Sequence, residues 1–245
     1  MVPAPAGDVQ AASQPPAQPL FEPEAAPGTP WERRAELGFF RAFWDTVVQA
    51  LFEPGRLFRS ARLDRGSAQL GFAMLAAGAG WIAEQLINLF FLRNWTRTVL
   101  ERLAGSGPMA PYWQRLAAAT RETSTLASVL WICFAPLIVL VFVYLDAAVT
   151  HAAASLLGQS KRGFAATFAA CTYACAPLLL LALPGCGSPI GIVWSVVLTG
   201  VGLQATHRIS AGRAAAAVLA PYALLCCGAC ALAVLGGMAA LRGAP

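Results

Sequence analysis

Charged residues are scarce in this sequence of 245 residues. Asp, Glu, Lys and Arg together make up 12% of the chain, whereas about a quarter of an ordinary soluble domain is charged. Hydrophobic residues make up 58%. The formal net charge of +5 comes from basic residues that flank apolar segments, where they orient membrane spans rather than bind nucleic acid. The composition therefore predicts an integral membrane protein with no nucleic-acid partner.

Motifs of catalysis and cofactor binding are missing as well. The chain has two His, neither of which belongs to an HExxH zinc motif, and it has no GxSxG. Its one Lys, Lys161, stands in GQSKRGF, which lacks the first glycine of a phosphate-binding loop. The first residues lack the basic and apolar regions of a cleavable signal peptide. We therefore expect no enzyme, no cofactor and a first span that itself directs insertion.

The seven cysteines raise the question of thiol chemistry. Cys227 and Cys230 have the C-x-x-C spacing of zinc and redox sites, and Cys171 and Cys175 share a helix face. A charged thiolate is costly in hydrocarbon, and neither pair has a carboxylate or His beside it in the sequence. We interpret these cysteines as small apolar residues and expect no metal site and no disulfide framework.

Five apolar segments follow residue 68, each near the length that crosses a hydrocarbon core of about 30 Å. The helix of the second is expected to run on to Leu157 before Gly158 ends it. The fourth carries Gly191, Ser195 and Thr199 at four-residue intervals, a row of small residues that predicts close helix packing and an inner helix. The predicted fold is all-α, with a membrane domain at 69–240 and spans at about 69–92, 126–150, 164–184, 189–205 and 214–240.

The topology follows from the number of spans and from the basic residues between them. Five spans put the termini on opposite faces, and an N-terminus in the cytosol then gives 11 basic residues inside and 6 outside. If the first apolar segment entered and left on the same side, the counts would be 13 and 4, because the connection 93–125 carries five Arg. We favour five full spans because the first segment suits one crossing.

The first 68 residues divide into two segments. Residues 1–30 contain eight Pro and seven Ala without apolar periodicity, a composition typical of disordered chain. Residues 31–68 are interpreted as a cytosolic, basic juxtamembrane segment, in which 32–52 form an amphipathic helix that stops at Pro54. The helix either packs under the spans or lies among the lipid headgroups. Its large apolar residues are Phe39, Phe40, Phe43, Trp44, Val47, Val48, Leu51 and Phe52.

Three pieces of the chain resemble the Yip family, whose eukaryotic members interact with Ypt/Rab GTPases. LFEPGRLFRSARL is similar to the family's stretch before the first span, and HAAASLLGQSKRGFAATFAACTYACAP is similar to the segment after the second. WSVVLTGVGLQATHRISAGRAAAAVLAP matches most closely, with Trp194, His207, Ser210 and Arg213 at the family's spacing. The resemblance covers about residues 39–240.

The resemblance implies five helices, a cytosolic N-terminus and, for eukaryotic members, a role in membrane organisation or trafficking. The abundance of Arg and Ala is typical of a GC-rich bacterial genome. We therefore expect a bacterial-type member of the family, located in the bacterial inner membrane.

Polar residues in and beside the spans are the candidate functional groups, since a charge at the bilayer centre costs about 2.5 to 3.5 kcal/mol. In a five-span topology Glu84 lies toward the outer face of the membrane and Asp146 toward the cytosolic face, so the two are not expected to touch. His151 is near Asp146, but five residues along a helix put the two side chains off one face. These carboxyls either serve an ion pathway or bond neighbouring helices. A predicted cytosolic basic loop, a topology anchor or a contact for a partner or lipid headgroups, contains His207, Arg208 and Arg213.

Two functions agree with these features. One is a non-catalytic protein that organises a membrane or recruits a partner, with Phe40, Phe43 and Trp44 in contact with that partner or with lipid. The other is a small transporter or channel that uses Glu84 or Asp146. The expected partners are the lipid bilayer and an unidentified protein, and a homo-oligomer is left open.

Overall fold

The computed structural model describes residues 26–105, 109–121 and 125–242. It is 83% helical, and the described residues contain no strand. Three short helices precede the membrane domain: α1 (Arg34–Leu37), α2 (Phe39–Phe52) and α3 (Pro54–Ser60). The helices that follow are α4 (Gly66–Ile87), α5 (Arg93–Ala104), α6 (Ala110–Arg121), α7 (Thr125–Leu156), α8 (Gly163–Tyr173), α9 (Gly187–His207) and α10 (Ala211–Arg242).

Five segments are long and apolar enough to cross a membrane, which confirms the predicted fold class. The first contains α4, a continuous helix of 22 residues that rises about 33 Å. That length suits one crossing and argues against a segment that enters and leaves on the same side. The second ends with α7 at Leu156, and Gly158 follows with φ +66°, as expected for a glycine that terminates a helix. The five segments are Gly66–Phe90, Val129–Leu156, Gly163–Ala182, Gly187–His207 and Ala211–Ala231.

The third span changes helix type halfway. After α8 the chain continues as a 3-10 helix, Ala176–Ala182, and the two helices rise about 30 Å together. Pro177 has no N–H, and the Leu178 N–H bonds the Cys175 carbonyl at 3.0 Å instead of the Ala174 carbonyl of an α-helix. The Ser195 hydroxyl of α9 donates to Ala174 at 2.7 Å. A neighbouring helix thus satisfies the released carbonyl, which lipid could not do.

The third span, and not the fourth, is the inner helix. In its most apolar 18 residues 72% are buried, against 33% in the fourth span. A row of small residues shows only that one side of a helix can be approached closely, and most of the fourth span's apolar stretch stays unburied. The third span carries Ala, Cys and Thr all round and contacts α4, α7 and α9. The prediction that the fourth span is the inner helix was therefore wrong.

The N-terminal segment joins the membrane domain earlier than the predicted boundary at residue 30. Thr29 is buried, and the Gly28 N–H donates to the Ser60 carbonyl at 3.0 Å. Residues 1–25 of the predicted tail lie outside the described residues. The predicted helix 32–52 is split at Gly38, whose φ of +84° lies in the left-handed region that favours glycine. α2 ends at Phe52, before Pro54 as expected, and Pro54 then begins the separate helix α3.

The buried apolar residues link the short N-terminal helices to the spans. The largest cluster joins the N-terminal segment, α2 and α3 to α4, α9 and the third span, and it includes Trp31, Phe58, Phe72, Tyr173 and Leu198. By contrast, α7 and α10 are buried over 22% and 17% of their most apolar stretches. Most large apolar side chains of Val129–Leu156 and Ala211–Ala231 are exposed, as expected of helices that face lipid.

Candidate functional site

Glu32 joins the N-terminal segment to the third span. Its carboxylate accepts hydrogen bonds from the Thr29 N–H at 2.9 Å, the Tyr173 hydroxyl at 2.9 Å and the Arg62 N–H at 3.2 Å. The Thr29 hydroxyl lies 2.8 Å from that of Tyr173, which is fully buried. We call Thr29, Glu32 and Tyr173 the N-terminal clamp. Sequence reasoning missed it because Glu32 and Tyr173 are 141 positions apart and no local pattern pairs them.

Trp31 fixes α2 against α4. Its indole N–H donates to the Ala68 carbonyl at 2.6 Å, and its backbone N–H donates to the Thr46 hydroxyl at 2.8 Å. The ring packs against Phe43 and Phe72, each with a centroid distance of 6.1 Å. Phe43 was predicted to contact a partner or lipid together with Phe40 and Trp44. It packs on the buried cluster instead, because it lies on the side of α2 that faces α4.

A second side of α2 is apolar and exposed. Phe40, Trp44, Val48 and Phe52 follow one another at four-residue intervals, and they are 77%, 56%, 52% and 77% exposed. We call these four residues the apolar stripe. Sequence reasoning left open whether this helix packs on the spans or lies among headgroups. In the structure one side packs and the stripe stays uncovered by any described residue.

The two histidines meet at one hydroxyl. Thr167 Oγ1 lies 3.0 Å from His151 Nδ1 and 2.9 Å from His207 Nε2. The Arg162 N–H donates to His207 Nδ1 at 3.3 Å, so Nε2 of the neutral ring carries the proton that His207 donates to Thr167. These bonds join α7, α8 and α9 at the end of the bundle where the N-terminal segment attaches.

The predicted basic loop is shorter in the structure than in the sequence analysis. His207 is buried and is the last residue of α9, and Arg213 lies in the first turn of α10. Arg208 follows α9 with φ +55° and is exposed. The loop is short because the left-handed turn at Arg208 reverses the chain within a few residues.

Asp146 lies beside α8 and does not pair with His151. Its carboxyl is near the Cys171 thiol, and Thr150 is near the same thiol. Direct pairing with His151 would need an unwound turn, and α7 is continuous through both residues. His151 therefore turns to Thr167.

Glu84 lies toward the opposite end of the bundle, where it accepts a hydrogen bond from the Ser188 hydroxyl at the start of α9. The row Gly191, Ser195 and Thr199 contacts the third span: a Cβ on Gly191 would lie 2.8 Å from the Pro177 carbonyl oxygen. Glu84 and the row therefore hold α9 to its neighbours on two sides.

The polar groups of the spans are arranged to bond one helix to another. Glu84 and Thr167 each hydrogen-bond a residue of a different helix, and Asp146 of α7 lies near Cys171 of α8. Within the described residues, His, Cys, Asp and Glu form no group of three that could hold a metal ion. The arrangement fastens the helices together.

Comparison with known families decides the identity. The Yip1 domain model matches residues 48–233, more than half of the chain. The chain belongs to the Yip1 domain family. This family consists of non-catalytic membrane proteins, and the five spans agree with it. No curated protein and no solved structure gives a significant match.

The Yip1 domain begins at residue 48, inside α2. Thr29, Trp31 and Glu32 precede it, whereas their partners Ala68 and Tyr173 lie within it. The N-terminal clamp and Trp31 therefore fasten a segment outside the matched Yip1 domain to the core of that domain.

Proposed function

We propose that this Yip1-domain protein is a non-catalytic membrane scaffold that recruits a protein partner to the bilayer surface. The observation that carries the proposal is the apolar stripe. Trp31 holds one side of α2 in the core, while Phe40, Trp44, Val48 and Phe52 stay exposed. Large apolar side chains of an amphipathic helix are stable at the boundary of headgroups and acyl chains. The stripe lies in lipid, and α2 is thereby fixed along the membrane surface.

The polar side of α2 then faces the aqueous phase and the partner. It carries the exposed residues Arg41 and Asp45, four positions apart. Arg41 and Asp45 form an ion pair at 3.6 Å with both side chains exposed. Such a pair contributes less than about 1 kcal/mol, so a partner can exchange it for its own charges at little cost.

The proposed location is the bacterial inner membrane, with the N-terminus in the cytosol. The seven Arg before the first span favour this orientation. Native Cys186 lies exposed in the loop between the third and fourth spans, and Ala35 is exposed on α1. In intact cells of an Ala35→Cys variant, a membrane-impermeant maleimide should label Cys186, and it should label the introduced thiol on α1 only after lysis. Labelling of the introduced thiol alone in intact cells would reverse the orientation.

Removal of the apolar stripe tests the scaffold proposal. The variant Phe40→Ser, Trp44→Ser, Phe52→Ser should accumulate normally, since these side chains are exposed. A photo-crosslinking residue at the exposed position Asp45 should capture a discrete protein in the native membrane from the wild-type sequence and lose it in this variant. Phe43→Ser is the matched control on the buried side, and it should lower the amount of folded protein instead. Unchanged crosslinks in the stripe variant would show that the stripe does not position the partner.

A small transporter or channel is the second candidate, and one observation favours it. Two polar contacts follow one another along α7 and α8: His151 with Thr167, and Asp146 with Cys171. If these groups carry ions, Asp146→Asn in proteoliposomes should abolish flux without changing abundance, and Glu84→Gln shows whether the other carboxyl contributes. Wild-type vesicles no more permeable than empty ones would exclude this function.

A further inference from the structure

Four arginines line a cleft at the end of the bundle where the N-terminal segment attaches. The cleft has a volume of about 1330 Å³, which exceeds the roughly 300 to 1,000 Å³ of common small-molecule sites. Residues 26–27, α3, the loop before α4 and the end of α9 form its walls. We call it the arginine cleft, and its arginines are Arg59, Arg62, Arg162 and Arg208.

Three of these arginines flank the ends of membrane spans. Arg62 lies shortly before Gly66, Arg162 directly precedes Gly163, and Arg208 directly follows His207. The cleft therefore opens at the level of the lipid headgroups. Its lining also includes apolar residues, among them Phe58, Val201 and Ile209, so a cationic rim borders an apolar wall.

Among the described residues, little negative charge balances the arginines of the cleft. Asp64 is the carboxylate among the described lining residues, and it pairs with Arg62 at 3.3 Å. The hydrogen bond from Arg62 lowers the pKa of Asp64 below its ordinary value, so Asp64 is charged at neutral pH and balances Arg62. The other three arginines have no ion pair with a described residue. The Arg162 guanidinium donates to the neutral Thr206 carbonyl at 3.0 Å, which leaves its charge in place.

We propose that the arginine cleft binds a phosphate-bearing anion. Guanidinium groups bind phosphate oxygens through two parallel hydrogen bonds, and here they converge from α3, the start of α8 and the end of α9. A phosphate group offers several acceptor oxygens and carries one negative charge in a phosphodiester and about −1.5 to −2 in a monoester at pH 7. It can therefore bond more than one of the three arginines that have no ion pair with a described residue. The phosphate belongs to an anionic lipid headgroup or to a soluble phosphorylated molecule. This inference does not depend on the apolar stripe, which involves none of these residues.

The experiment uses the full chain in nanodiscs and separates the two sources of phosphate. In the first arm, nanodiscs of neutral phosphatidylcholine are titrated with pyrophosphate by calorimetry. In the second arm, nanodiscs also contain phosphatidylglycerol, and the lipid retained after transfer to neutral detergent is identified by mass spectrometry. Saturable binding of pyrophosphate indicates a soluble ligand, and selective retention of phosphatidylglycerol indicates a lipid headgroup.

A pair of matched variants shows whether the cleft is responsible. Arg59→Gln with Arg208→Asn removes two exposed arginines of the cleft, and Asn tolerates the left-handed backbone at position 208. Arg56→Gln with Arg115→Gln makes the same change of charge outside the lining. In the arm in which the wild type binds its ligand, the cleft variant should bind that ligand at least about tenfold more weakly, since each charged hydrogen bond contributes that much. The control variant should bind like the wild type.

Two results would overturn the proposal. One is that the wild type neither binds pyrophosphate saturably nor retains phosphatidylglycerol selectively, a result that does not depend on any variant folding. The other is an equal loss of binding in the cleft and control variants, which would indicate attraction by overall charge. Thermal unfolding of each variant, compared with the wild type, shows whether a loss of binding comes from a loss of fold.

Discussion

The third and fifth spans have nearly the same mean hydropathy, yet 72% of the most apolar stretch of the third is buried and 17% of the fifth. The difference arises in their neighbours. A Cβ added to Gly80 of α4 or to Gly187 of α9 would overlap the backbone of the third span, whereas one on Gly228 of α10 would meet nothing within 4 Å. Apolarity places both spans in the membrane, and glycines on other helices place one of them at the centre.

The polar side chains of the third and fifth spans also differ in burial. Tyr173 of the third span is fully buried and bonds Glu32 and Thr29, whereas Tyr222 of the fifth is 47% exposed. An inner helix must pair its polar groups with protein, so its bonds hold the fold together. An outer helix can leave such a group at the lipid surface.

The largest expected effect is that of Gly80→Ala. A central Gly replaced by Ala normally stabilises a helix by about 1 kcal/mol. At Gly80 the new methyl would overlap the Leu178 carbonyl, so we expect a destabilisation of about 3 kcal/mol, the upper end for overpacking. The matched change Gly228→Ala should be neutral or slightly stabilising. Thermal unfolding in one detergent measures both, and equal melting temperatures would contradict the inner position of the third span.

A smaller effect is expected for Tyr173→Phe. The change removes the hydroxyl that donates to the Glu32 carboxylate, and the loss of a hydrogen bond to a charged group costs about 1.5 to 3 kcal/mol. Tyr222→Phe makes the same chemical change on the outer span and should cost less than about 0.5 kcal/mol. If both variants melt alike, the N-terminal clamp does not contribute to stability.

The smallest of the three effects belongs to Thr167→Val, which keeps the shape of the side chain. Both histidines lose the hydroxyl they share, so we expect a destabilisation of about 1 kcal/mol. Ser155→Ala on the exposed side of α7 is the control and should leave the melting temperature unchanged. An unchanged Thr167→Val variant would mean that water replaces the hydroxyl and that the histidines do not join the helices.

The sequence predicted the number of spans well because length and apolarity are local properties. Gly158 ended the second helix as expected for a residue that accepts a positive φ. The resemblance to the Yip family was confirmed because its motifs lie in consecutive segments and need no tertiary contact to be seen. The position of the inner helix could not be predicted, since it depends on Gly80 and Gly187, which belong to other helices.

The sequence by itself determined that this chain enters a membrane, how often it crosses, and that a basic, aromatic segment precedes the first span. Each of these follows from composition over about twenty neighbouring residues matched to the thickness of a bilayer. The tertiary structure alone decided that Glu32 bonds Tyr173, that Thr167 joins both histidines and that four arginines share one cleft. Those residues come from separate helices, and a polar group in lipid bonds whichever partner the packing brings within reach.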